Sequence, residues 1–243
     1  MKFSRKKTGI FILLLVSLGI FSSCEKTDET PESTKASTTP AIKGSAGVCW
    51  ALRTVTTVNT GGINIGADLT IDVGTGVGIF MDNGKSVDVG TVTLNGLPLE
   101  KVADNYMTTV SATQPTGVDF SKGIKWAITG GNGFTAFSHT VTNTFPSTGN
   151  FTSAKTLTKA DGYTLGFSSV SGADSIIFAI NDVVKTVPGN IKSYTFTAAQ
   201  LSKLAKGAGV VQAVPYNYKI VSYGGKYIAF GNQVSYSQTI TIN

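Results

Sequence analysis

Clusters of positive charge are missing from this sequence. From Gly47 onward there are 13 basic and 10 acidic residues, and they stand singly along the chain. A protein that binds nucleic acid needs neighbouring lysines and arginines that displace counterions from phosphates. We therefore expect no nucleic-acid partner.

Groups that catalyse reactions are equally scarce. A Ser-His-Asp triad would have to use His139, the single histidine, and no nucleophile elbow lies near it. A glycosidase needs two carboxylates across one bond, yet Glu100 and nine separate aspartates from residue 47 onward form no sequence pair. Calcium loops of the DxDxDG type are absent as well. The sequence predicts a protein that is not an enzyme and uses no cofactor.

Glutamate, a good helix former, is also rare, whereas threonine and valine dominate the chain after residue 46. Apolar and β-branched runs are separated by turn sequences such as GG, DNG and NG, a pattern typical of strands. We therefore expect an all-β fold. The predicted strands lie at residues 50–58, 69–73, 77–81, 87–94, 106–112, 124–129, 163–170, 174–180, 192–197, 209–221, 226–232 and 235–242.

One short crossover helix near residues 198–205 interrupts this pattern. Thr197 can cap its N-terminus, and Gln200 three residues later completes a capping box. Gly207 can end the helix. In a β-sandwich such a helical turn usually crosses from one sheet to the other.

Residues 1–23 begin with a basic segment, continue with a short apolar run and end in two serines before Cys24. This is the pattern of an export signal peptide, and the apolar run is too short to span a membrane as a stable helix. The small-small-Cys ending resembles the lipobox of bacterial lipoproteins. That resemblance implies cleavage before Cys24 and a lipid on its sulfur, which anchors the protein to a membrane. The alternative is a simple secretory signal.

Residues 24–46 are rich in Thr, Ser, Glu, Lys and Pro and contain few apolar residues. Such a composition cannot offset the entropy of ordering, so the sequence predicts a disordered tether. The acids Glu25, Asp28 and Glu29 after Cys24 resemble the export tag of surface lipoproteins in the Bacteroidota. The resemblance implies an outer-membrane protein whose folded part faces the cell surface. The inner leaflet, facing the periplasm, is the alternative.

A lipid on Cys24 would leave Cys49 as the only free thiol, so no intrachain disulfide is expected. Cys49 lies beside Trp50 at the start of the first predicted strand and is most simply a small buried apolar residue. We therefore expect the fold to depend on its cores alone.

The chain after the tether is long enough for two small domains, predicted at residues 47–150 and 151–243. The boundary follows from a Ser/Thr/Gly-rich stretch near residue 150. The segment YTLGFSSVSGADSIIFAI (163–180) resembles the B and C strands of fibronectin type III or immunoglobulin-like sandwiches. This resemblance implies two immunoglobulin-like β-sandwich modules. The alternative is one continuous sandwich core shared by both halves.

Two glycine-containing stretches imitate functional loops. VGIFMDNGKS (77–86) ends like a phosphate-binding loop, but Gly78 leaves five residues before GK instead of four, and a strand follows. Asp82-Asn83-Gly84 is a strong hairpin-turn sequence, so we predict a turn here. GTGVG (74–78) lacks a following helix and is predicted to be a bulge or a tight turn.

His139 is a weak candidate for a haem ligand, because neutral imidazole is the commonest metal ligand in proteins. Met81 and Met107 are the candidates for the other axial position. Surface lipoproteins that scavenge haem are similar in export address and β-sandwich architecture. The alternation of Phe137, His139 and Val141 on one strand face instead favours a structural histidine, semi-buried or at a sheet edge.

Tyrosines concentrate near the C-terminus. Exposed tyrosines stack on sugar rings or anchor a protein partner, and strand alternation places Tyr216 and Tyr218 on one face. Alternatively, these side chains only cover sheet faces and edges. Trp126, between two alternating isoleucines, is predicted to lie in the core. The weak ligand-binding candidates are Tyr216, Tyr218, Tyr223 and Tyr227.

Together these features predict a lipid-anchored surface module for binding or adhesion that recognises a glycan or a protein. Service as an accessory subunit of an outer-membrane complex belongs to the same hypothesis. The alternative function is a haem-scavenging lipoprotein that uses His139. A surface hydrolase would require two catalytic side chains that converge in one cleft.

Overall fold

The computed structural model describes Ile42 and residues 44–58, 69–103 and 105–243. Cys24, the predicted signal peptide and most of the predicted tether lie outside the described residues. Within them the protein is almost entirely β-structure, which confirms the all-β prediction. The strands are β1 (Gly47–Val58), β2 (Leu69–Asp82), β3 (Lys85–Ser86), β4 (Val92–Leu94), β5 (Leu97–Pro98), β6 (Glu100–Val102), β7 (Asn105–Met107), β8 (Ile124–Ile128), β9 (Phe137–Val141), β10 (Ser147–Thr148), β11 (Thr156–Leu157), β12 (Tyr163–Gly166), β13 (Val170–Ser171), β14 (Ser175–Ile180), β15 (Val183–Pro188), β16 (Ser193–Phe196), β17 (Gly207–Tyr223) and β18 (Lys226–Ile242). A 3₁₀ turn (Lys159–Asp161) and helix α1 (Ala198–Leu201) complete the described elements.

A large sheet of ten strands runs through the described protein in the order β15-β14-β17-β18-β1-β2-β7-β6, with β11 added to β18 and β3 to β2. Most neighbours are antiparallel, but β1 runs parallel to β18, with Gly47 opposite Ile228. The large sheet therefore joins the first strand of the described chain to the last.

Three smaller sheets cover one face of the large sheet. Four antiparallel strands form one of them, in the order β5-β4-β8-β9, and the pairs β10–β13 and β12–β16 form the others. We call the covered face of the large sheet its inner face and the opposite face its outer face. Because side chains alternate along a strand, each strand contributes to both faces.

The first core lies between the inner face and the four-stranded sheet. Cys49 and Phe80 enter it from the large sheet, Leu94 and Trp126 from the smaller one, and all four side chains are fully buried. Phe80 also meets Phe134 edge-on, with ring centres 5.4 Å apart. Each buried side chain of this size stabilises the fold by about 1.5–3 kcal/mol. The burial of Cys49 and Trp126 confirms both predictions.

The second core lies further along the same inner face. Phe178 and Ile240 belong to the large sheet, whereas Leu165 and Phe196 come from the β12–β16 pair and Leu201 from α1. The last three are fully buried. The two small strands and the helix thus form one lid over this end of the large sheet.

The long C-terminal hairpin contributes to both cores. Strands β17 and β18 have 17 residues each, and Phe230 lies in the first core while Ile240 lies in the second. The other strands of the first core precede residue 150 and those of the second core follow it, but the β10–β13 pair crosses this predicted boundary. Residues after 207 belong to both.

Two buried asparagines lie on the inner face between the cores. The Asn217 side chain donates to the carbonyls of Thr144 and Gly172, at 2.9 and 2.7 Å. Asn232 donates to the carbonyl of Asn143 at 2.9 Å and to the Asn217 oxygen at 3.2 Å. These bonds satisfy two carbonyls of the connection between β9 and β10 and one directly after β13, and they hold both segments against the sheet.

Helix α1 has the predicted capping box. Thr197 Oγ1 accepts from the Gln200 backbone N–H at 3.3 Å, and Gln200 Oε1 accepts from the Thr197 N–H at 2.9 Å. The helix crosses from β16 in its small sheet to β17 in the large one, as predicted. It ends at Leu201 rather than at Gly207, because a turn at Leu204 follows and Gly207 already opens β17. No helix among the described residues is long and apolar enough to cross a membrane.

The turn prediction at Asp82-Asn83-Gly84 is confirmed, since Asp82 pairs with Lys85 and both central residues have positive φ. The prediction of a bulge or tight turn at residues 74–78 is wrong. These residues lie inside the continuous strand β2. Glycine is needed there for space: a Cβ on Gly76 would come within 2.3 Å of Leu94.

Candidate functional site

A cleft of about 410 Å³ opens where β1 and β2 extend past the first core. Arg53 points to the inner face because it follows Cys49 and Ala51 in the alternation of β1. Its neighbour across the pair is Gly74, which has no side chain to fill the space. The residues that line the cleft are Arg53, Asp72, Gly74, Thr116, Val118, Asp119, Phe120, Ser121 and Phe145.

The segment that carries Thr116 and Val118 is fixed to β2 by its backbone. Gly74 N–H donates to the Thr116 carbonyl at 2.9 Å, and Val118 N–H donates to the Gly74 carbonyl at 2.8 Å. The two backbones can approach this closely only because each carries a glycine at the contact. A Cβ on Gly74 would lie 2.1 Å from the Val118 oxygen, and one on Gly117 would lie 1.9 Å from the Gly74 oxygen. One wall of the cleft is therefore rigidly attached to the sheet.

An arginine–aspartate pair forms the charged part of the cleft. Arg53 Nε donates to Asp72 Oδ1 at 3.3 Å, and Arg53 Nη2 bonds the other carboxylate oxygen. The hydrogen bond to Asp72 raises the pKa of Arg53. Both side chains are about two-fifths exposed, at 37% and 41%, so the pair faces solvent within the cleft. The two opposite charges compensate each other.

Two half-buried aromatic rings form the apolar part. The ring centres of Phe120 and Phe145 are 5.0 Å apart at an interplanar angle of 53°. The guanidinium carbon of Arg53 lies 5.5 Å from the centre of the Phe145 ring. A cation in this position is attracted to the ring and helps to hold the guanidinium in one orientation. Aromatic and polar surfaces thus meet at one point of the cleft.

Asp119 is fixed at the cleft by its own turn. Its carboxylate accepts from the Ser121 backbone N–H at 2.8 Å and from the Ser121 hydroxyl at 2.9 Å. These bonds, together with the charge of Lys122, lower the pKa of Asp119. The carboxylate therefore stays ionised near neutral pH and acts as a hydrogen-bond acceptor.

His139 lies away from this cleft and has structural partners. Its Nδ1 is 2.9 Å from the Tyr223 hydroxyl, and its ring stacks on Phe230 with centres 3.9 Å apart. Burial, and then the charge of Lys219, lower the pKa of His139. The ring is half-buried on its strand, in the position that alternation predicted for a structural histidine.

The two methionines proposed as axial partners are not brought to His139. Met81 and Met107 alternate with Phe80 and Tyr106, which both belong to the first core, so the methionines lie on the outer face. His139 packs on the inner face. The structure therefore does not assemble the predicted haem ligands into one site.

The four candidate tyrosines also do not form one site. Tyr216 and Tyr218 share one face of their strand, as predicted. That face is the outer one, where both rings flank Trp50 with centres 6.0 and 6.4 Å away. Tyr223 lies on the inner face and stacks on Phe137, whereas Tyr227 is 57% exposed. Tyr216 is only 8% exposed, so it covers the sheet rather than presenting a ring to solvent.

A second titratable cluster ties residues 88–90 to the edge of the large sheet. Asp88 accepts hydrogen bonds from the Tyr106 hydroxyl at 2.8 Å, the Gly90 N–H at 2.7 Å and the Lys101 amine at 3.0 Å. These bonds, that of Tyr106 first, lower the pKa of Asp88 to about 2. Burial and Asp88 raise the pKa of Tyr106 to about 12, while its hydroxyl accepts from the Val89 N–H. The Tyr106 hydroxyl, the Gly90 N–H and the Lys101 amine all bond the same carboxylate, which indicates a structural role for the cluster.

Among the described residues no group of three or more His, Cys, Asp and Glu side chains is arranged to hold a metal ion. No protein-family model matches this chain, and no curated protein matches it. The case for a functional site therefore rests on the geometry of the cleft.

The residues of the cleft were not predicted from the sequence. Arg53 is the only arginine from Gly47 onward, and it stands in a strand of alternating small and apolar residues. A lone arginine at an inward position of a strand was the one sequence feature that could have indicated the cleft. Phe120 and Phe145 gave none, because they join Arg53 only through the pairing of distant segments.

Proposed function

We propose that this protein is a lipid-anchored recognition protein of the cell surface, which binds an extracellular glycan or protein in the cleft beside Arg53. The observation that carries the proposal is the meeting of a fixed Arg53–Asp72 pair with the rings of Phe120 and Phe145 in one concave site. Sites that bind small ligands combine apolar lining with a few fixed polar groups in this way.

Two features favour binding over hydrolysis. Asp72 and Asp119 both line the cleft, so two carboxylates are available in principle. A glycosidase, however, needs one carboxyl group with a raised pKa to donate a proton. Asp119 has a lowered pKa, and Asp72 is held in an ion pair with Arg53. Both carboxylates are therefore suited to accept hydrogen bonds from a ligand.

The membrane part of the proposal rests on the N-terminal sequence. The signal peptide pattern, Cys24 and the acidic residues behind it support lipidation and export. Growth with an alkyne-tagged fatty acid tests it, because the label should be on the wild-type chain and missing from Cys24→Ser. Protease treatment of intact cells then separates the two orientations. Degradation supports the cell surface, and protection supports the periplasm.

The recognition part is tested with the chain from residue 24, carrying Cys24→Ser to keep it free of lipid. The immobilised protein is exposed to a glycan array and to detergent-solubilised outer membranes of the source cell, and bound material is identified. We expect a ligand whose binding is lost in Phe145→Ala and retained in Ile191→Ala, an exposed apolar residue outside the cleft lining. Equal binding by all three proteins would contradict the cleft as the recognition site.

Service as an accessory subunit of an outer-membrane complex is one outcome of the same experiment. It is supported when a membrane protein is captured in stoichiometric amount and Phe145→Ala releases it. Unfolding of each variant in urea, followed by circular dichroism, shows whether a loss of binding reflects the cleft or the fold.

A further inference from the structure

We infer that the cleft binds an uncharged sugar that presents two adjacent hydroxyl groups. This inference rests on the proposed function, since it names the ligand class of the same cleft. It follows from four properties of the lining: the balance of charge, the supply of hydrogen-bonding groups, the apolar surface of two aromatic rings, and the state of the backbone.

The charge balance disfavours a charged ligand. Arg53 is already paired with Asp72, and the carboxylate of Asp119 lies in the same cleft. An anionic ligand that approached Arg53 would meet both carboxylates. A cationic ligand would meet the guanidinium, fixed over Phe145, and the charge of Lys122, which acts on Asp119. An uncharged ligand has neither cost.

The hydrogen-bonding groups suit hydroxyls. A guanidinium has five N–H donors and a carboxylate about four acceptor positions, and the Arg53–Asp72 pair uses only some of each. One hydroxyl can donate to Asp72 while its neighbour accepts from Arg53, so two adjacent hydroxyls match the pair. The hydroxyl of Thr116 lies in the same lining.

The two phenylalanines suit the apolar side of a sugar. Phe120 and Phe145 have no polar tip, so their rings offer only a flat apolar surface beside the polar pair. A sugar ring has a face of C–H groups with hydroxyls along its rim. Stacking that face on an aromatic ring leaves the rim free to reach Arg53 and Asp72. A volume of about 410 Å³ is within the usual range for small ligands.

The backbone of the cleft disfavours an extended peptide. A peptide that adds to a sheet needs a row of unpaired N–H and C=O groups. Here the Gly74 N–H donates to the Thr116 carbonyl, and the Gly74 carbonyl accepts from the Val118 N–H. This wall has its main-chain groups satisfied, so recognition depends on side chains.

Isothermal titration tests the inference on the lipid-free chain from residue 24. The probes are neutral trisaccharides of glucose, mannose and galactose, the trisaccharide of galacturonic acid, and trilysine. We expect at least one neutral trisaccharide to bind, with a Kd that changes less than about twofold between 0.05 and 0.5 M salt, because salt screens only charge–charge attraction. Phe145→Ala and Arg53→Lys should each weaken binding tenfold or more. Ile191→Ala, an exposed apolar residue outside the cleft lining, should bind as the wild type does.

A deoxy sugar separates adjacent hydroxyls from hydroxyls in general. Removal of one hydroxyl of the contacted pair should weaken binding at least tenfold, since a carboxylate or guanidinium then loses its partner. Equal affinity for every monodeoxy analogue would overturn the assignment of a diol.

The outcomes distinguish the inference from the proposed function. Binding of the galacturonate, of trilysine or of a captured protein that Phe145→Ala abolishes would overturn the neutral sugar and leave the recognition cleft standing. Binding that neither Phe145→Ala nor Arg53→Lys alters would overturn both. Failure of a full array of neutral glycans to bind would overturn the inference alone.

Discussion

The indole of Trp50 lies directly over Gly231 on the outer face of the large sheet. A Cβ placed on residue 231 would come within 2.0 Å of the indole ring. Trp50 is only 1% exposed and is flanked by Tyr216 and Tyr218, so the ring has little room to move. The absence of a side chain at residue 231 is therefore a condition for the position of Trp50.

Gly231→Ala should destabilise the protein strongly. Overpacking of a buried site costs about 1–3 kcal/mol, and we expect at least about 2 kcal/mol here because the clash is with a buried ring. Urea unfolding followed by circular dichroism measures the change. Gly78→Ala is the matched control, since its Cβ would meet ordinary contacts of 3.4 Å in the same sheet. Equal stabilities of the two variants would refute this account.

The two tryptophans should respond differently to phenylalanine. Trp50 Nε1 donates to Gln233 Oε1 at 2.8 Å, whereas the buried Trp126 Nε1 has no acceptor among the described residues. Both substitutions lose similar ring volume, but only Trp50→Phe leaves a buried amide without its partner. We expect Trp50→Phe to cost about 1–3 kcal/mol more than Trp126→Phe.

The double variant Trp50→Phe/Gln233→Leu checks the cause of that difference. Replacement of both partners by apolar groups is far less costly than removal of one. The second substitution should therefore recover part of the lost free energy of unfolding. Strict additivity of the two substitutions would show that the hydrogen bond does not account for the difference.

Asp88 should give the protein an acid-sensitive part of its stability. Its pKa is about 2 in the folded state against a usual 3.8, so the folded protein binds the proton more weakly than the unfolded chain. The contribution is complete above pH 3.8 and is lost as the pH falls toward 2. Wild type should exceed Asp88→Asn in free energy of unfolding at pH 7, with the difference shrinking across this window. A difference that stays the same from pH 7 down to pH 2 would contradict this prediction.

His139 should also make the stability fall on acidification, over a higher pH range than Asp88 does. Its folded pKa lies below the usual 6.5 because burial disfavours the charged ring, and Lys219 adds to the effect. The unfolded chain therefore takes up the proton first, and the free energy of unfolding falls as the pH drops below 6.5 toward the folded pKa. His139→Gln should remove this slope. The chain has one histidine, so its NMR titration is unambiguous, and a folded pKa at or above 6.5 would contradict the prediction.

The local features of the fold could be predicted from the sequence. The alternation of β-branched residues gave most strands, and the hairpin at Asp82-Asn83-Gly84 and the cap at Thr197 followed from side-chain chemistry. The burial of Cys49 and Trp126 followed from their flanking residues. Each of these depends on a few neighbouring positions only.

The cleft and the sheet order could not be predicted in the same way. Arg53, Phe120 and Phe145 meet because β1, the segment after β7 and the connection after β9 lie side by side. The pairing of distant strands leaves no local trace in their alternation. The glycines of residues 74–78 led to a wrong prediction of a turn for the same reason. Their lack of a side chain is required by the close approach of Leu94 and Val118, which are remote in sequence.

Strand β1 lies beside β18 in the middle of the large sheet. The first described strand to leave the ribosome therefore cannot complete its pairing until the last one has been synthesised. Pairing of such distant segments is slow, and until it occurs the apolar side chains of β1 stay open to aggregation. A chain that terminates early lacks a strand of both cores. Such a chain can complete neither core. Synthesis through β18 is therefore a requirement for folding, and truncated products are exposed to proteases.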